Sequence, residues 1–162
     1  MENTALVVID LQNDITKNYK EIVGQVNRAV DWAVDNELYV VYIQHNNLSA
    51  GTRTFKAGTH GAELVSEMKV VSDNIFTKTK NNALTSEDFI SFIHKHGITS
   101  FFIVGADATA CIKSTCYNMT KSGYTVSVLS DCITSYDKKK LPEMLDYYES
   151  KGCSVKKLSE II

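Results

Sequence analysis

Three residues in this chain have the chemistry of an activated nucleophile, and each follows a run of apolar residues. Cys111 ends the segment GADATAC, Gly105 to Cys111, directly after Phe101-Phe102-Ile103-Val104. Asp10 follows Ala5-Leu6-Val7-Val8-Ile9, and Lys78 follows Ile75-Phe76-Thr77. A deprotonated thiol attacks carbonyl carbon, a carboxylate can take its proton, and an ammonium can hold the charge that develops. The run before Cys111 reads as a strand and the residues after it as a helix. The sulfur then stands at a helix amino terminus, where unpaired N–H groups and the helix dipole favour a thiolate. Singly, each residue has a plainer reading. Asp10 suits a turn cap as well as a general base, although Asp14 suits the cap better. Lys78, like Lys80, can be a solvated strand end.

The elements that must position these residues alternate along the chain. Strands are expected at 5–9, 38–43, 75–77, 101–104, 124–129 and 153–155, mostly as continuous apolar runs that fit strands covered on both faces. Between them, apolar residues recur at helical spacing: Ile22, Val26, Ala29, Val30 and Ala33 predict a helix over 17–36, and Leu141, Met144, Leu145 and Tyr148 another after Pro142. Thr85 and Asp88 predict a capping box ahead of Phe89, Phe92 and Ile93, and Gly97 a helix end. The polar stretch 46–61 is long for a connection in a small domain, and such loops are usually functional. Alternation of this kind predicts one α/β domain over 1–162. Its architecture is a three-layer α/β/α sandwich around a six-stranded, mostly parallel sheet, Rossmann-like in outline. Asp10, Lys78 and Cys111 then follow the first, third and fourth strands and fall at one edge of the sheet, where such folds place their ligands.

Composition narrows the function. The 162 residues are 44% hydrophobic and 22% charged, with a net charge of −2. No basic block points to nucleic acid, and no apolar stretch reaches the roughly 20 residues a membrane span needs. The start, MENTALVVID, does not read as a signal peptide, and the four cysteines form no C-x-x-C pair. A cytoplasmic protein with reduced thiols is expected. Nucleotide-binding glycine motifs are absent. Cys116, Cys132 and Cys153 read as core residues.

The set resembles the isochorismatase-like cysteine hydrolases, the superfamily that includes nicotinamidases and N-carbamoyl amide hydrolases. ALVVIDLQND is similar to the opening strand of that family, with Asp10 at the catalytic aspartate. TFKAGTHGAEL (Thr54 to Leu64) is similar to its Phe-x-x-Gly-Thr-x-Gly loop. FTKTKNNAL (Phe76 to Leu84) is similar to its Lys-x-x-x-Ser-Ala-Phe motif, with Asn82-Ala83-Leu84 in place of Ser-Ala-Phe. The segment from Gly105 through Cys111, Gly123, Tyr124 and Asp131 is similar to its nucleophile region.

The resemblance implies an isochorismatase-like fold and a cysteine-dependent hydrolase of a small amide. Asp10, Lys78 and Cys111 form its triad, a thioester is its intermediate, and no cofactor is required. It also implies an oxyanion hole from the backbone N–H groups of Asp107 and Cys111, and a cis peptide at Ala106–Asp107. Asp107 itself is a departure, since relatives often carry a small or apolar residue there. It either disfavours anionic substrates or points away. Alternatives are vinyl ether hydrolysis through acid chemistry at Asp10, or a non-catalytic member that binds a small ligand.

The metal motif of nicotinamidases, Asp-x-His, is missing. Ile43-Gln44-His45-Asn46-Asn47 stands in that region, and His45 with His60 is a poor donor set, so no metal is expected. Pocket-lining candidates by position are Gln12, His45, Phe55, Asn82 and Tyr117. Arg53 either binds a carboxylate or faces water. A homo-oligomer, dimeric or larger, is expected, since a neighbouring subunit can complete a pocket in so short a chain. A catalytic Cys111 is expected to alkylate fast at neutral pH, with a profile below about 8.5.

Overall fold

The structure, a computed structural model, describes residues 1–16 and 19–162. Strand β1 (Thr4–Ile9) is buried along its whole length, which its unbroken apolar run requires. It pairs in parallel with β2 (Tyr39–His45) on one side and with β4 (Ser100–Gly105) on the other. β3 (Ile75–Lys78), β5 (Thr125–Ile133) and β6 (Ser154–Lys156) complete the order β3-β2-β1-β4-β5-β6. Every pairing is parallel, so the sheet is wholly rather than mostly parallel.

Alternate residues of the central strands feed two separate cores, because successive side chains leave opposite faces of a strand. Leu6, Val8, Val40, Tyr42 and Val104 pack under helix α2 (Val23–Asp35). On the other face Val7, Ile9, Val41 and Ile103 meet three helices, α3 (Glu87–His96), α4 (Cys111–Lys121) and α5 (Leu141–Ser150). Three layers result. The chain reverses its direction of travel across the sheet between β1 and β4. That crevice, at the carboxyl ends of the strands, is where doubly wound sheets bind ligands.

Three local expectations change. The helix predicted over 17–36 is broken: a short α1 (Asn13–Thr16) is followed by a 3-10 turn at Lys20–Ile22 before α2. The predicted start at Lys17 lies outside the described residues. The apolar period begins only at Ile22, so nothing before it could pack as α2, and Tyr19 turns towards Asp107 instead. The cap of α3 is Ser86, whose hydroxyl accepts from Phe89 N–H at 3.2 Å, while Thr85 donates to Asn82. β2 also runs on to His45, which places that imidazole on a strand end. Gly97 closes α3 in the left-handed region, as its position predicts. No helix among the described residues is long and apolar enough to cross a membrane.

Candidate active site

Strand register explains how residues far apart in the chain come together. His45 and Lys78 are cross-strand partners at the ends of β2 and β3. Asp10 follows β1, one strand further in, and Gly105 ends β4 beyond it. The lysine side chain is long enough to pass the intervening β2 and reach the crevice. There its Nζ donates to Asp10 Oδ2 at 3.1 Å, to Cys111 Sγ at 3.3 Å and to His45 Nδ1 at 2.9 Å. All three ammonium protons are used, and the Lys78 and Asp10 side chains are 0% and 2% exposed.

Backbone shape aims the other two groups. Asp10 has φ of +56°, a left-handed conformation that costs a non-glycine residue about 1 kcal/mol or more and is held here by the surrounding sheet. Gly105 has φ of +116° and lies against β1: a Cβ there would meet Ile9 O at 2.2 Å and Ile9 N at 2.7 Å. Only glycine lets the β4–α4 turn approach so closely. The Ala106–Asp107 peptide is cis, the conformation the resemblance implies. Among the described residues, the backbone N–H groups of Asp107 and Cys111 have no acceptor, while Ala110 and Ile112 both donate to Asp107 O. Both N–H groups lie in the turn that leads into α4.

Electrostatics reverse the expectation of a preformed thiolate. Burial, and then the Asp10 carboxylate, push the Cys111 thiol up to about 12, and the Lys78 ammonium offsets only part of this. Burial also raises Asp10, against the pull of Lys78. Desolvation and a like charge act against the helix dipole. The proton therefore rests on sulfur, and the Asp10 carboxylate stands beside it as the candidate acceptor. The thiol points at Asn81 Oδ1, 3.6 Å away. Asp10 Oδ1 is buried without a partner, although a carboxylate oxygen of Asp10 lies within 4.8 Å of the sulfur.

The remaining candidates separate. Gln12 is fully buried and both ends of its amide are engaged: Oε1 accepts from His45 N–H at 2.8 Å, and Nε2 donates to His45 O and Ala62 O. It is a bracket for the crevice wall rather than a group facing it. Phe55 is buried behind His45, with ring centroids 5.9 Å apart. Asn82 caps a 3-10 turn by accepting from Leu84 N–H at 2.9 Å. Its neighbour Asn81 is the residue that touches the sulfur, and nothing in the spacing of the pair distinguishes them. Tyr117 stands two turns along α4 on the wall of an open cleft of about 330 Å³, which Asn81 and Lys113 also line. Arg53 is exposed, and His60 pairs at the surface with Glu63. Asp14 ties the polar loop by accepting from Phe55 N–H at 2.6 Å rather than capping a helix.

Asp107 points away from the sulfur. Its Oδ1 accepts from Thr109 N–H, Thr109 hydroxyl and Ser135 hydroxyl, and its Oδ2 from Tyr19 hydroxyl and Tyr136 N–H, all between 2.8 and 3.0 Å. Burial pulls its pKa up, but the N–H groups of Tyr136 and Thr109 and the hydroxyls of Ser135 and Tyr19 outweigh it and hold it low. A lowered folded-state pKa means the carboxylate stabilises the fold above the unfolded value of about 3.9 and stops doing so as pH falls through the folded value. Asp107→Asn leaves at least one backbone N–H, of Tyr136 or of Thr109, facing an amide NH2. We expect a loss of about 2–4 kcal/mol at pH 7 and a Tm lower by about 5–12 °C. The gap should narrow below pH 4 in thermal melts; an unchanged Tm at pH 7 would show the cage to be dispensable.

One group of metal-ligating types occurs among the described residues: Asp10, His45 and Cys111, whose ligand atoms lie within 4.8 Å of one another. The Lys78 ammonium already contacts all three residues. Unit charges 4 Å apart repel by about 4 kcal/mol at an effective dielectric of 20, and a dication doubles that. These residues do not fit a metal.

Comparison with known proteins agrees with the fold. Residues 4–157 match the sequence model of the isochorismatase domain. The chain belongs to the isochorismatase family. A relative from Arabidopsis thaliana, named a probable inactive nicotinamidase, is 30% identical over 155 residues, covering 80% of this chain and 79% of the relative. The crystal structure of N-carbamoylsarcosine amidase from Thermoplasma acidophilum superposes with a TM-score of 0.83 at 20% identity, covering 97% of this chain and 96% of that one. That of Pyrococcus horikoshii pyrazinamidase in complex with zinc gives 0.83 at 19% identity, covering 96% and 99%. The fold described above is thus the isochorismatase-like hydrolase fold.

Proposed function

We propose that this isochorismatase-family protein is a cysteine hydrolase that cleaves the C–N bond of a small amide through a thioester. The observation that carries the reading is the buried contact of one ammonium with both a thiol and a carboxylate that keeps one oxygen unpartnered. Asp10 takes the Cys111 proton as the sulfur attacks the carbonyl carbon, so charge forms on sulfur only as the new bond consumes it. Lys78 holds the negative charge on either side of that transfer. The free N–H groups of Asp107 and Cys111 receive the oxyanion; losing one such donor typically costs about 3 kcal/mol of barrier. The tetrahedral intermediate collapses as the protonated Asp10 gives its proton to the leaving amine. Asp10 then takes a proton from water, which attacks the thioester and releases acid and free thiol. No step needs a metal.

The names of the two amidase structures support an amide. The Arabidopsis relative favours a second reading, a member of the family that binds a small ligand without turnover. A panel of nicotinamide, pyrazinamide, carbamoyl amines and ureidoacrylate separates them. Ammonia release, with a thioester adduct on the Cys111 peptide in quenched samples, supports the hydrolase. Saturable binding with neither product nor adduct supports the binder.

A further inference from the structure

His45 does more than line the crevice wall. Lys78 ammonium has only donors, so the 2.9 Å contact makes His45 Nδ1 the acceptor. The ring proton then sits on Nε2, which donates to Asn47 Oδ1 at 2.9 Å. Asn47 is held in turn by the polar loop: its Nδ2 donates to Thr54 O at 2.7 Å and its N–H to Phe55 O at 2.7 Å. Gln12 fixes the His45 backbone from the other side. One chain of hydrogen bonds thus runs from the loop 46–61 through an imidazole of assigned tautomer to the third proton of Lys78.

We propose that His45 is a positioning residue, which orients the Lys78 ammonium so that its other two protons meet Asp10 and Cys111, and that Asn47 couples this orientation to the polar loop. An ammonium on a flexible four-carbon stem can rotate and lean; one acceptor at each proton stops it. A neutral imidazole is required, because a protonated ring has no lone pair and would face Lys78 as a second cation. Burial, then Lys78, lower the His45 pKa, which favours the neutral ring. The titratable groups facing the ring are Lys78 from β3, Asp10 from the end of β1 and Cys111 from α4. The proposal rests on the role of Lys78 in the cysteine hydrolase reading.

The test compares His45→Asn, which keeps an acceptor near the Nδ1 position, with His45→Leu, which does not. Two rates are read: amide turnover, and iodoacetamide alkylation of Cys111, which needs no substrate. His45→Leu should lower kcat by about 10- to 100-fold with KM little changed, and slow alkylation at neutral pH, because a loosened ammonium stabilises the thiolate less. His45→Asn should restore both to within about fivefold of wild type. On the acid limb, log kcat/KM of the wild type should fall with a slope that approaches two once both Asp10 and His45 are protonated, and stays near one in His45→Asn. A His45→Leu effect confined to KM, or alkylation equal in all three proteins, overturns the proposal. Absence of turnover on every amide with the alkylation pattern intact removes the hydrolase reading and leaves the positioning role standing.

Discussion

Asp10→Asn should abolish turnover and, at the same time, make Cys111 easier to alkylate. The two effects have opposite signs because the carboxylate plays two parts. As a base it receives the thiol proton, and losing a general base typically costs 10²- to 10⁴-fold, so about 10³-fold in kcat is expected. As a charge it stands beside the sulfur and helps push the thiol up to about 12. An uncharged amide of the same shape removes that repulsion and leaves Lys78 in place. The thiol pKa then falls, and each unit is tenfold more thiolate at pH 7. Wild-type Cys111 should react slowly with iodoacetamide at neutral pH and speed up about tenfold per pH unit on the way to its pKa. The mutant should react at least about tenfold faster at pH 7, whether or not a substrate is ever found. Slower alkylation in Asp10→Asn would sink this account of the site.

Gly105→Ala should damage both stability and activity more than any single change on the surface. The added Cβ would lie 2.2 Å from Ile9 O, a backbone atom that cannot swing aside, and φ of +116° is strained for alanine. Either β4 separates from β1 or the turn carrying Cys111 moves, and both disturb the crevice between Asp10 and the sulfur. A loss of about 4 kcal/mol or more is expected, lowering Tm by about 10 °C or more. Gly24→Ala is the control: nothing lies within 4 Å of its Cβ position in α2. It should raise stability by about 0.5–1 kcal/mol through helix propensity. A Gly105→Ala protein that melts within 2 °C of wild type would show that the close approach is not needed.

Interaction energies at the site explain why local features alone were a partial guide. A helix start suggested a preformed thiolate, and the dipole acts in that direction. Yet it is worth only about 0.3–1 kcal/mol near a surface, and it is opposed by the desolvation of a thiol on a buried residue beside a carboxylate. Asp107 shows the reverse case. An extra carboxylate near a nucleophile could equally tune specificity or point away, and five donors from three segments of the chain turn it into a structural pin.

The sequence by itself determined the alternation of strands and helices, the two-sided burial of the central strands and the placing of Asp10, Lys78 and Cys111 at element ends. Those properties follow from apolar period, glycine and proline positions, and chain order, which are local. Tertiary structure decided the rest. The order β3-β2-β1-β4 makes Lys78 reach past β2, and the β2–β3 register sets His45 beside it. Packing turned Gln12 and Asn82 to backbone partners, and left Asn81 rather than Asn82 against the sulfur. Neighbours in adjacent strands, and the protons they exchange, depend on contacts between distant residues, such as Lys78 and Asp10, 68 positions apart, which no local pattern encodes.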